Sequence, residues 1–263
     1  MASQFDLSGK VALVTGSSRG LGQYFARALA RAGADLVLTS RTVESLAQTR
    51  EEIEAMGRKA LACRLDTRQP ESIQPMVDQA LKQFGRIDVL VNNAGCNVRK
   101  ASVDVSPDDW DLVVNTVLRG AFFVSQAVVR SAMLPQKKGR IINVGSGTSV
   151  FGFPGIVPYC AARGGMTQMT RALAAEWAPF GITVNVLAPG WFETAQTAPL
   201  YKDPQWVAGV VERIPAGRSG LPNDMDGAVV FLGSDASEYV TGQLLFVDGG
   251  FTIGAVRATP RKS

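Results

Sequence analysis

The sequence of 263 residues contains no histidine and only three cysteines. Without an imidazole, the chain can form neither a His-ligated zinc site nor a serine or cysteine nucleophile that a histidine activates. Cys63, Cys96 and Cys160 are odd in number and lack the spacing of metal ligands. We therefore expect reduced thiols and no metal site.

The sequence also lacks a long apolar run and a leader. We find no run that approaches the ~18 apolar residues of a membrane span. The first residues lack the charged start and apolar middle of a signal peptide. The net charge is +4, and several basic residues stand in the tail 255–263, which we predict to be flexible rather than a nucleic-acid arm. These features predict a cytoplasmic protein that binds small molecules and neither membranes nor nucleic acids.

What the sequence does contain is an alternation of strand-like and helix-like segments. The predicted strands, which are short and rich in apolar residues, are 11–14, 35–39, 60–64, 89–91, 140–144, 183–187 and 244–247. The predicted helices are 26–31, 43–55, 71–84, 107–133, 159–180 and 223–232. This alternation predicts an α/β fold: one doubly wound (Rossmann) domain over 1–263, ordered over about 6–254, with a parallel seven-stranded sheet and helices on both faces. The alternation stops at 191–218, where we expect a binding loop.

A glycine-rich turn, TGSSRGLG at 15–22, follows the first strand and precedes a helix. Glycines let backbone N–H groups approach an anion, and the N-terminus of the helix adds partial positive charge. The same residues match G-x-S-x-G, the nucleophile turn of α/β-hydrolases. Because that mechanism needs a base that is usually histidine, the turn is interpreted as a phosphate-binding turn instead.

The end of the second strand indicates which cofactor is bound. An enzyme that selects NAD places Asp or Glu here, to accept hydrogen bonds from the ribose 2′-hydroxyl. This chain has Ser40 and Arg41 at that point and no acidic residue before Glu44, while Arg19 stands in the glycine turn. Guanidinium groups and a hydroxyl suit a 2′-phosphate, so we predict that NADP(H) is preferred over NAD(H).

A tyrosine, a serine and a cation then suggest the chemistry. Tyr159 and Arg163 are four residues apart and lie on one helical face, and Ser146 follows the fifth strand. Reduction of a ketone by hydride transfer needs a proton donor, and a nearby cation lowers the pKa of a phenol from its usual value of about 10. We predict that Tyr159 is the acid/base, Arg163 stabilises charge and Ser146 holds the substrate oxygen.

With these residues assembled, the chain resembles the short-chain dehydrogenase/reductase family of the single-domain type, over about 6–254. The matching motifs are T-G-x-x-x-G-x-G at 15–22, N-N-A-G at 92–95, a serine thirteen residues before the tyrosine, and P-G-x-x-x-T at 189–194. The chain is similar in pattern to gluconate 5-dehydrogenases, with 3-oxoacyl-acyl-carrier-protein reductases close behind. The resemblance implies an NADP(H)-dependent oxidoreductase that interconverts a ketone and a secondary alcohol, and a homotetramer. The predicted cofactor-binding residues are Gly16, Ser18, Arg19, Gly20, Leu21, Gly22, Ser40, Arg41, Asp66, Thr67, Asn93, Ala94, Gly95, Tyr159, Arg163, Pro189, Gly190 and Thr194.

Two positions depart from the family pattern. The family has lysine where this chain has Arg163, and Val117 stands where the family has an asparagine that anchors a relay water. Arginine keeps the charge but does not give up a proton, and valine has no polar group. Asn115 lies about 200° away around the helix and is expected to face away from the site. The alternative function is therefore a catalytically impaired NADP(H)-binding protein.

The substrate is less well specified by the sequence. We predict that Ser146, Cys96, Phe153 and Trp191 contact it, and a sugar acid or polyol is one candidate. Arg99 and Lys100 could bind the carboxylate of a sugar acid, or be surface charges. Trp191, Phe192 and Phe153 would equally suit an apolar or ring-shaped ketone. A redox role for Cys160, which adjoins Tyr159, is a further alternative.

Overall fold

The computed structural model describes residues 3–195 and 197–254, and the predicted flexible tail at 255–263 lies outside them. Seven short apolar segments pair in one parallel sheet, in the order β3-β2-β1-β4-β5-β6-β7. The strands are β1 Val11–Val14, β2 Asp35–Ser40, β3 Ala60–Arg64, β4 Val89–Asn92, β5 Gly139–Val144, β6 Ile182–Pro189 and β7 Leu244–Val247. The predicted α/β fold with a seven-stranded parallel sheet is confirmed.

The helices cover both faces of this sheet. They are α1 Gly20–Arg31, α2 Ala47–Ala55, α3 Ile73–Phe84, α4 Pro107–Gln136, α5 Val157–Trp177, α6 Ala198–Tyr201, α7 Pro204–Glu212 and α8 Asp226–Gly233. Successive residues of β1 show why two layers are needed. Ala12 and Val14 pack into the core beneath α1 and α8, while Val11 and Leu13 pack into the core beneath α3, α4 and α5. The strand is buried on both faces, as the uniformly apolar sequence predicted.

The sheet grows in opposite directions from the pair β1 and β4: β2 and β3 extend it beyond β1, and β5 to β7 extend it beyond β4. Val14 pairs with Leu38 of β2 on one side and with Val91 of β4 on the other. The connections that follow β1 and β4 therefore diverge to opposite sides and leave a crevice at the carboxyl ends of the strands. This crevice is where a ligand site is expected in such a sheet.

Helix α4 differs from the expectation that no segment could span a membrane. It runs for 30 residues with a mean hydropathy of 1.6, so by length and composition it could cross a bilayer. The helix packs against the sheet and α5, and 44% of its most apolar window is buried in the fold. A core helix passes the same test of length and composition, so the hydropathy of α4 is weak evidence for a membrane. Two π-helical turns interrupt it, at Asn115–Arg119 and Val129–Met133.

The region 191–218 is more regular than the sequence predicted, because it contains the short helices α6 and α7. The side chain of Asp203 accepts hydrogen bonds from the backbone N–H groups of Gln205 and Trp206, and Pro204 occupies the first helical position. Asp followed by Pro is a recognised start of a helix. The prediction of an unbroken loop overlooked this signal.

A buried polar network joins the middle of the sheet to the helices next to the crevice. Asn92 Nδ2 donates to Asn143 Oδ1 on the neighbouring strand and to Ser125 Oγ on α4, each at 2.8 Å. Asn143 Nδ2 donates to Thr170 Oγ1 on α5 at 2.8 Å. Each of these side chains is almost completely buried, so the network ties β4 and β5 to both long helices in a fixed position.

We predict that Asn143→Ala lowers the free energy of unfolding by roughly 2 kcal/mol, because it leaves the polar partners of Asn143 buried and unpaired. Thr183→Val on the adjacent strand is the matched control. The Thr183 hydroxyl is buried without a hydrogen-bond partner among the described residues, so its loss should leave stability unchanged or higher. Urea titration of both variants measures the difference, and equal losses would contradict the role of the network.

Candidate active site

A cavity of about 750 Å³ opens at the carboxyl ends of the strands, a volume typical of cofactor and ligand sites. All the predicted site residues except Gly22 line it. These are Gly16, Ser18, Arg19, Gly20, Leu21, Ser40, Arg41, Asp66, Thr67, Asn93, Ala94, Gly95, Cys96, Ser146, Phe153, Tyr159, Arg163, Pro189, Gly190, Trp191 and Thr194. The structure thus brings together side chains that are separated by more than 170 positions in the sequence.

Gly22 lies behind the turn and not on the cavity. A Cβ atom at this position would stand 2.2 Å from the Gly16 carbonyl oxygen and 2.5 Å from Asn93 Nδ2. Both distances are far shorter than a van der Waals contact. The prediction that Gly22 contacts the cofactor is corrected: it lets α1 start directly beneath the turn.

The turn presents unpaired backbone donors to the cavity. Gly16 and Gly20 have φ of +65° and +59°, a conformation that side chains other than glycine rarely adopt. Arg19 is the N-cap of α1, and its side chain makes no capping hydrogen bond. The first N–H groups of the helix therefore remain available, and together with the helix dipole they suit a pyrophosphate.

The turn is joined to the loop that follows β4. Thr15 Oγ1 accepts hydrogen bonds from the backbone N–H groups of Asn93 and Ala94, each at 2.9 Å. Asn93 Nδ2 donates in return to the carbonyl oxygens of Thr15 and Gly16, at 2.9 and 3.1 Å. A Cβ on Gly16 would come within 3.1 Å of Ala94 Cα, so the two backbones are almost in contact. These bonds fix the floor of the cavity.

At one end of the cavity the side chains of Arg19 and Arg41 are exposed, beside the half-buried Ser40. Ser40 Oγ accepts a hydrogen bond from Ser45 Oγ at 2.9 Å, and Ser45 also lines the cavity. Among the described residues that line the cavity, the one acidic residue is Asp66, and it is paired with Arg68. The arrangement matches the predicted pocket for a 2′-phosphate.

Arg68 is a cavity residue that sequence reasoning missed. Its Nε and Nη2 bind the two carboxylate oxygens of Asp66 at 3.0 and 2.7 Å. The Arg68 guanidinium, helped by a backbone N–H and by the charge of Arg41, holds the pKa of Asp66 below its usual range. Asp66, one of the predicted cofactor-binding residues, is thus already engaged by an arginine. The Asp66-x-Arg68 spacing was the available signal.

The charge of the cavity is strongly one-sided. Five of its lining residues are arginines, and Asp66 is the one acidic residue among the described residues that line it. Because Arg68 neutralises that carboxylate, the remaining charge is positive. A cavity of this composition suits a ligand that carries several negative charges, as a phosphorylated dinucleotide does.

Arg163 lies against the presumed acid. Its guanidinium carbon is 4.9 Å from the centroid of the Tyr159 ring, which is a cation–π distance. Arg163 Nη1 donates to the Val144 carbonyl oxygen at the end of β5, and the whole residue is 5% exposed. Its Nε is buried without a hydrogen-bond partner among the described residues. The structure therefore keeps the guanidinium on the tyrosine, as the sequence predicted.

Val117 is next to the same guanidinium. It is fully buried, at the centre of a π-helical turn of α4, in an apolar cluster with Val113, Ala162 and Met166. A Cβ on Gly95 would lie 3.7 Å from Val117 Cγ2 and 3.0 Å from Arg163 Nη2, so both side chains pack on that glycine. Asn115 is half-buried and does not line the cavity. The side of the site where the family has its relay asparagine is therefore apolar.

Near Tyr159 the cavity offers several polar atoms to a substrate. Ser146 Oγ accepts a weak hydrogen bond from the Thr148 backbone N–H at 3.3 Å. Thr148 Oγ1 and Asn97 Oδ1 are buried without a hydrogen-bond partner in the part of the chain that is described, and both residues line the cavity. Buried polar atoms are nearly always paired, so these atoms are candidates for contacts with a ligand.

The two basic residues proposed for a substrate carboxylate differ in their surroundings. Lys100 forms an ion pair with Asp109 and does not line the cavity. Arg99 lines the cavity and forms no ion pair within the described residues. The structure therefore favours Arg99 over Lys100 as a carboxylate ligand.

Comparison with known proteins identifies the family. A family model described as "Enoyl-(Acyl carrier protein) reductase" matches residues 16–252. The chain belongs to the short-chain dehydrogenase/reductase family. It is 43% identical over 249 residues to 2-dehydro-3-deoxy-D-gluconate 5-dehydrogenase of Escherichia coli K12, covering 95% of this chain and 98% of that one. It is 42% identical over 249 residues to gluconate 5-dehydrogenase of Gluconobacter oxydans, covering 95% and 97%.

A solved relative extends this comparison to three dimensions. The crystal structure of a gluconate 5-dehydrogenase from Burkholderia cenocepacia in complex with NADP and tartrate superposes with a TM-score of 0.92. The two chains are 40% identical, and the match covers 96% of this chain and 98% of that one. Membership of the family is confirmed as predicted, and the solved relative holds the cofactor that the sequence predicted for this chain. The roles of individual site residues stay predictions.

We predict that Arg41→Ala weakens NADPH binding at least tenfold while NADH binding changes less than threefold, because only NADPH has a 2′-phosphate for the guanidinium. Arg50→Ala, which removes an exposed arginine that is paired with Glu54 outside the cavity, is the matched control. Quenching of tryptophan fluorescence by each nucleotide gives the dissociation constants. Similar losses of affinity for both nucleotides would contradict a contact between Arg41 and the 2′-phosphate.

Proposed function

We propose that this protein is an NADP(H)-dependent oxidoreductase that interconverts the ketone and secondary alcohol of a sugar acid of the gluconate class. The observation that carries the proposal is the stacking of Arg163 on Tyr159 inside a positively charged cavity that also contains Ser146. The similarity to gluconate 5-dehydrogenases and to a 5-keto-D-gluconate 5-reductase supports the substrate class.

The residues of the cavity fit the cofactor. When bound, NADP(H) supplies or accepts the hydride. The free N–H groups at 18–21 would hold its pyrophosphate, and Arg19, Ser40 and Arg41 its 2′-phosphate. Arg163 Nη2, which makes no hydrogen bond within the described residues, lies beside Gly95 and is the donor available for a ribose hydroxyl.

Tyr159 would move the proton. Its phenol lines the cavity together with Ser146, which would hold the substrate oxygen by a hydrogen bond while Tyr159 donates to it. The guanidinium of Arg163, stacked on the ring, would attract the negative charge left on the phenol oxygen after the transfer. At the other side, Arg99 would bind the carboxylate of the substrate, and Asn97 Oδ1 and Thr148 Oγ1 its hydroxyl groups.

We predict that Tyr159→Phe lowers kcat for reduction of 5-keto-D-gluconate at least 1000-fold, because no other proton donor would replace the phenol. The dissociation constant of NADPH should change less than threefold, since phenylalanine preserves the ring on which Arg163 stacks. Nicotinamide absorbance measures the first value and fluorescence titration the second. Turnover retained in the variant would overturn the assignment of Tyr159.

A catalytically impaired cofactor-binding protein is the second candidate, because Arg163 and Val117 together leave an apolar surface where the family has a relay. For an active wild type, Arg163→Lys alone should lower kcat about tenfold, because a strongly hydrated ammonium replaces a guanidinium among apolar side chains. Val117→Asn with Arg163→Lys should recover wild-type kcat or exceed it. Steady-state assays of the wild type, Arg163→Lys and the double variant measure this, and a silent wild type that the double change activates would establish the second candidate.

We also propose a cytoplasmic homotetramer. Trp110 on α4 and Val157 on α5 expose 41% and 44% of their surface outside the cavity, which supports association through these two long helices. Cys63, Cys96 and Cys160 are free thiols, which suits a reducing compartment. Sedimentation equilibrium should give about four times the 28.0 kDa chain mass, and the mass of a single chain would contradict the assembly.

A further inference from the structure

Besides Tyr159, four aromatic side chains line the cavity and are only partly buried. They are Phe151, Phe153, Trp191 and Phe251, and we call them the aromatic wall. Phe151 and Phe153 belong to the loop after β5, Trp191 follows β6, and Phe251 follows β7. Tyr159 and Ser146 line the same cavity, and two contacts bring the wall next to their neighbours in sequence: the Phe153 carbonyl oxygen accepts from Cys160 Sγ at 3.8 Å, and the Phe151 ring lies against Gly147.

Trp191 is the centre of this wall. Its ring makes edge-to-face contacts with Phe153 and Phe251, at centroid distances of 6.0 and 6.2 Å. Behind it, Trp206 of α7 contacts the Trp191 ring at 5.1 Å. These are the distances and angles at which aromatic pairs attract one another, so the ring of Trp191 is held from three sides.

Two further contacts fix the rim of the wall. Phe151 packs edge-to-face on Phe251 at 5.5 Å, and the guanidinium carbon of Arg213 lies 5.4 Å from the Phe251 ring centroid. Phe192 belongs to the core instead: it is 4% exposed, and its ring lies against Gly220. The wall is thus a preformed surface; Phe192 also borders the cavity, as expected, but it is buried and is not counted in the wall.

A preformed apolar surface favours a particular kind of substrate. Aromatic rings in a pocket gain most by covering a flat apolar group, whereas an open-chain polyol needs hydrogen-bond partners in every direction. Polar atoms for a substrate come from the cavity residues Asn97, Arg99, Ser146 and Thr148, and none of the wall side chains adds a hydrogen-bonding atom except the Trp191 indole N–H. The cavity therefore has a polar part and an apolar part.

We propose that the aromatic wall binds the ring of cyclic ketones and that the protein reduces them as a further class of substrate. The proposal rests on the proposed oxidoreductase function. The carbonyl carbon gains a hydride from the reduced nicotinamide, which becomes NADP⁺. The carbonyl oxygen gains the proton of the Tyr159 phenol. The phenolate that remains on Tyr159 then takes a new proton from water. The ring, packed against Trp191 and Phe153, places the carbonyl group at Ser146 and Tyr159.

The experiment compares 4-methylcyclohexanone with 5-keto-D-gluconate in the wild type and in Trp191→Leu, Phe153→Leu and Arg99→Gln. Leucine keeps an apolar side chain but removes the flat ring face. Phe180→Leu, at an exposed phenylalanine outside the cavity, is the matched control and should leave both activities unchanged. We expect each wall variant to lower kcat/KM for the cyclic ketone about tenfold more than for the sugar acid. We expect Arg99→Gln to lower kcat/KM for the sugar acid about tenfold more than for the cyclic ketone.

A direct binding measurement accompanies the assay. Binding of 4-methylcyclohexanone in the presence of NADP⁺, a pair that cannot react, followed by calorimetry, should weaken about tenfold in Phe153→Leu, which tests the wall even if Trp191→Leu fails to fold. Turnover of the sugar acid without turnover of the cyclic ketone would overturn this proposal alone. Equal effects of the wall variants on both substrates would also overturn it. Absence of hydride transfer with either substrate would overturn the proposed function itself.

Discussion

The close contact between the turn after β1 and the loop after β4 is the constraint on which the site depends. Thr15 and Asn93 exchange hydrogen bonds across it, and the missing Cβ atoms of Gly16 and Gly22 allow the two backbones to touch. Because strand order reverses between β1 and β4, this contact forms the base of a crevice rather than part of the packed sheet. The free N–H groups of α1 and the polar atoms of the N-N-A-G loop then face one space.

The second constraint is the burial of a guanidinium beside a phenol. Arg163 is held by the Val144 carbonyl, the Tyr159 ring, Gly95 and the apolar side chains around Val117. Removing such a charge from water is costly, and it is tolerated where the charge has a carbonyl and an aromatic face as partners. The departure at Arg163 and the departure at Val117 therefore form one packed unit. This unit keeps the positive charge of the family's lysine while replacing a hydrated relay with apolar packing.

The end of the cavity that suits the cofactor and the end that suits the substrate are lined by different kinds of residue. Arginines and hydroxyl groups occupy the end next to β2, and Arg68 neutralises Asp66, so this end favours the additional phosphate of NADP(H). Arg99, Asn97 and the aromatic side chains surround the other end, near Tyr159. A phosphate-rich cofactor and a carbonyl substrate thus meet different surfaces of one crevice. Similarity to gluconate 5-dehydrogenases agrees with the charged part of the substrate end, while the aromatic wall extends the range of ligands that it can accept.

The strands, the glycine turn, the absence of an acidic residue after β2 and the pairing of Tyr159 with Arg163 can be predicted from the sequence, because each depends on neighbours within one strand, one turn or one helical turn. Other features need the three-dimensional structure: Gly22 packs behind the turn, Lys100 is engaged by Asp109 while Arg99 lines the cavity, and Trp191 contacts Phe153 and Phe251. These outcomes depend on contacts between segments that are far apart in the chain. Periodicity and local spacing specify which way an element faces, but the partner it meets there is set by how all the elements pack.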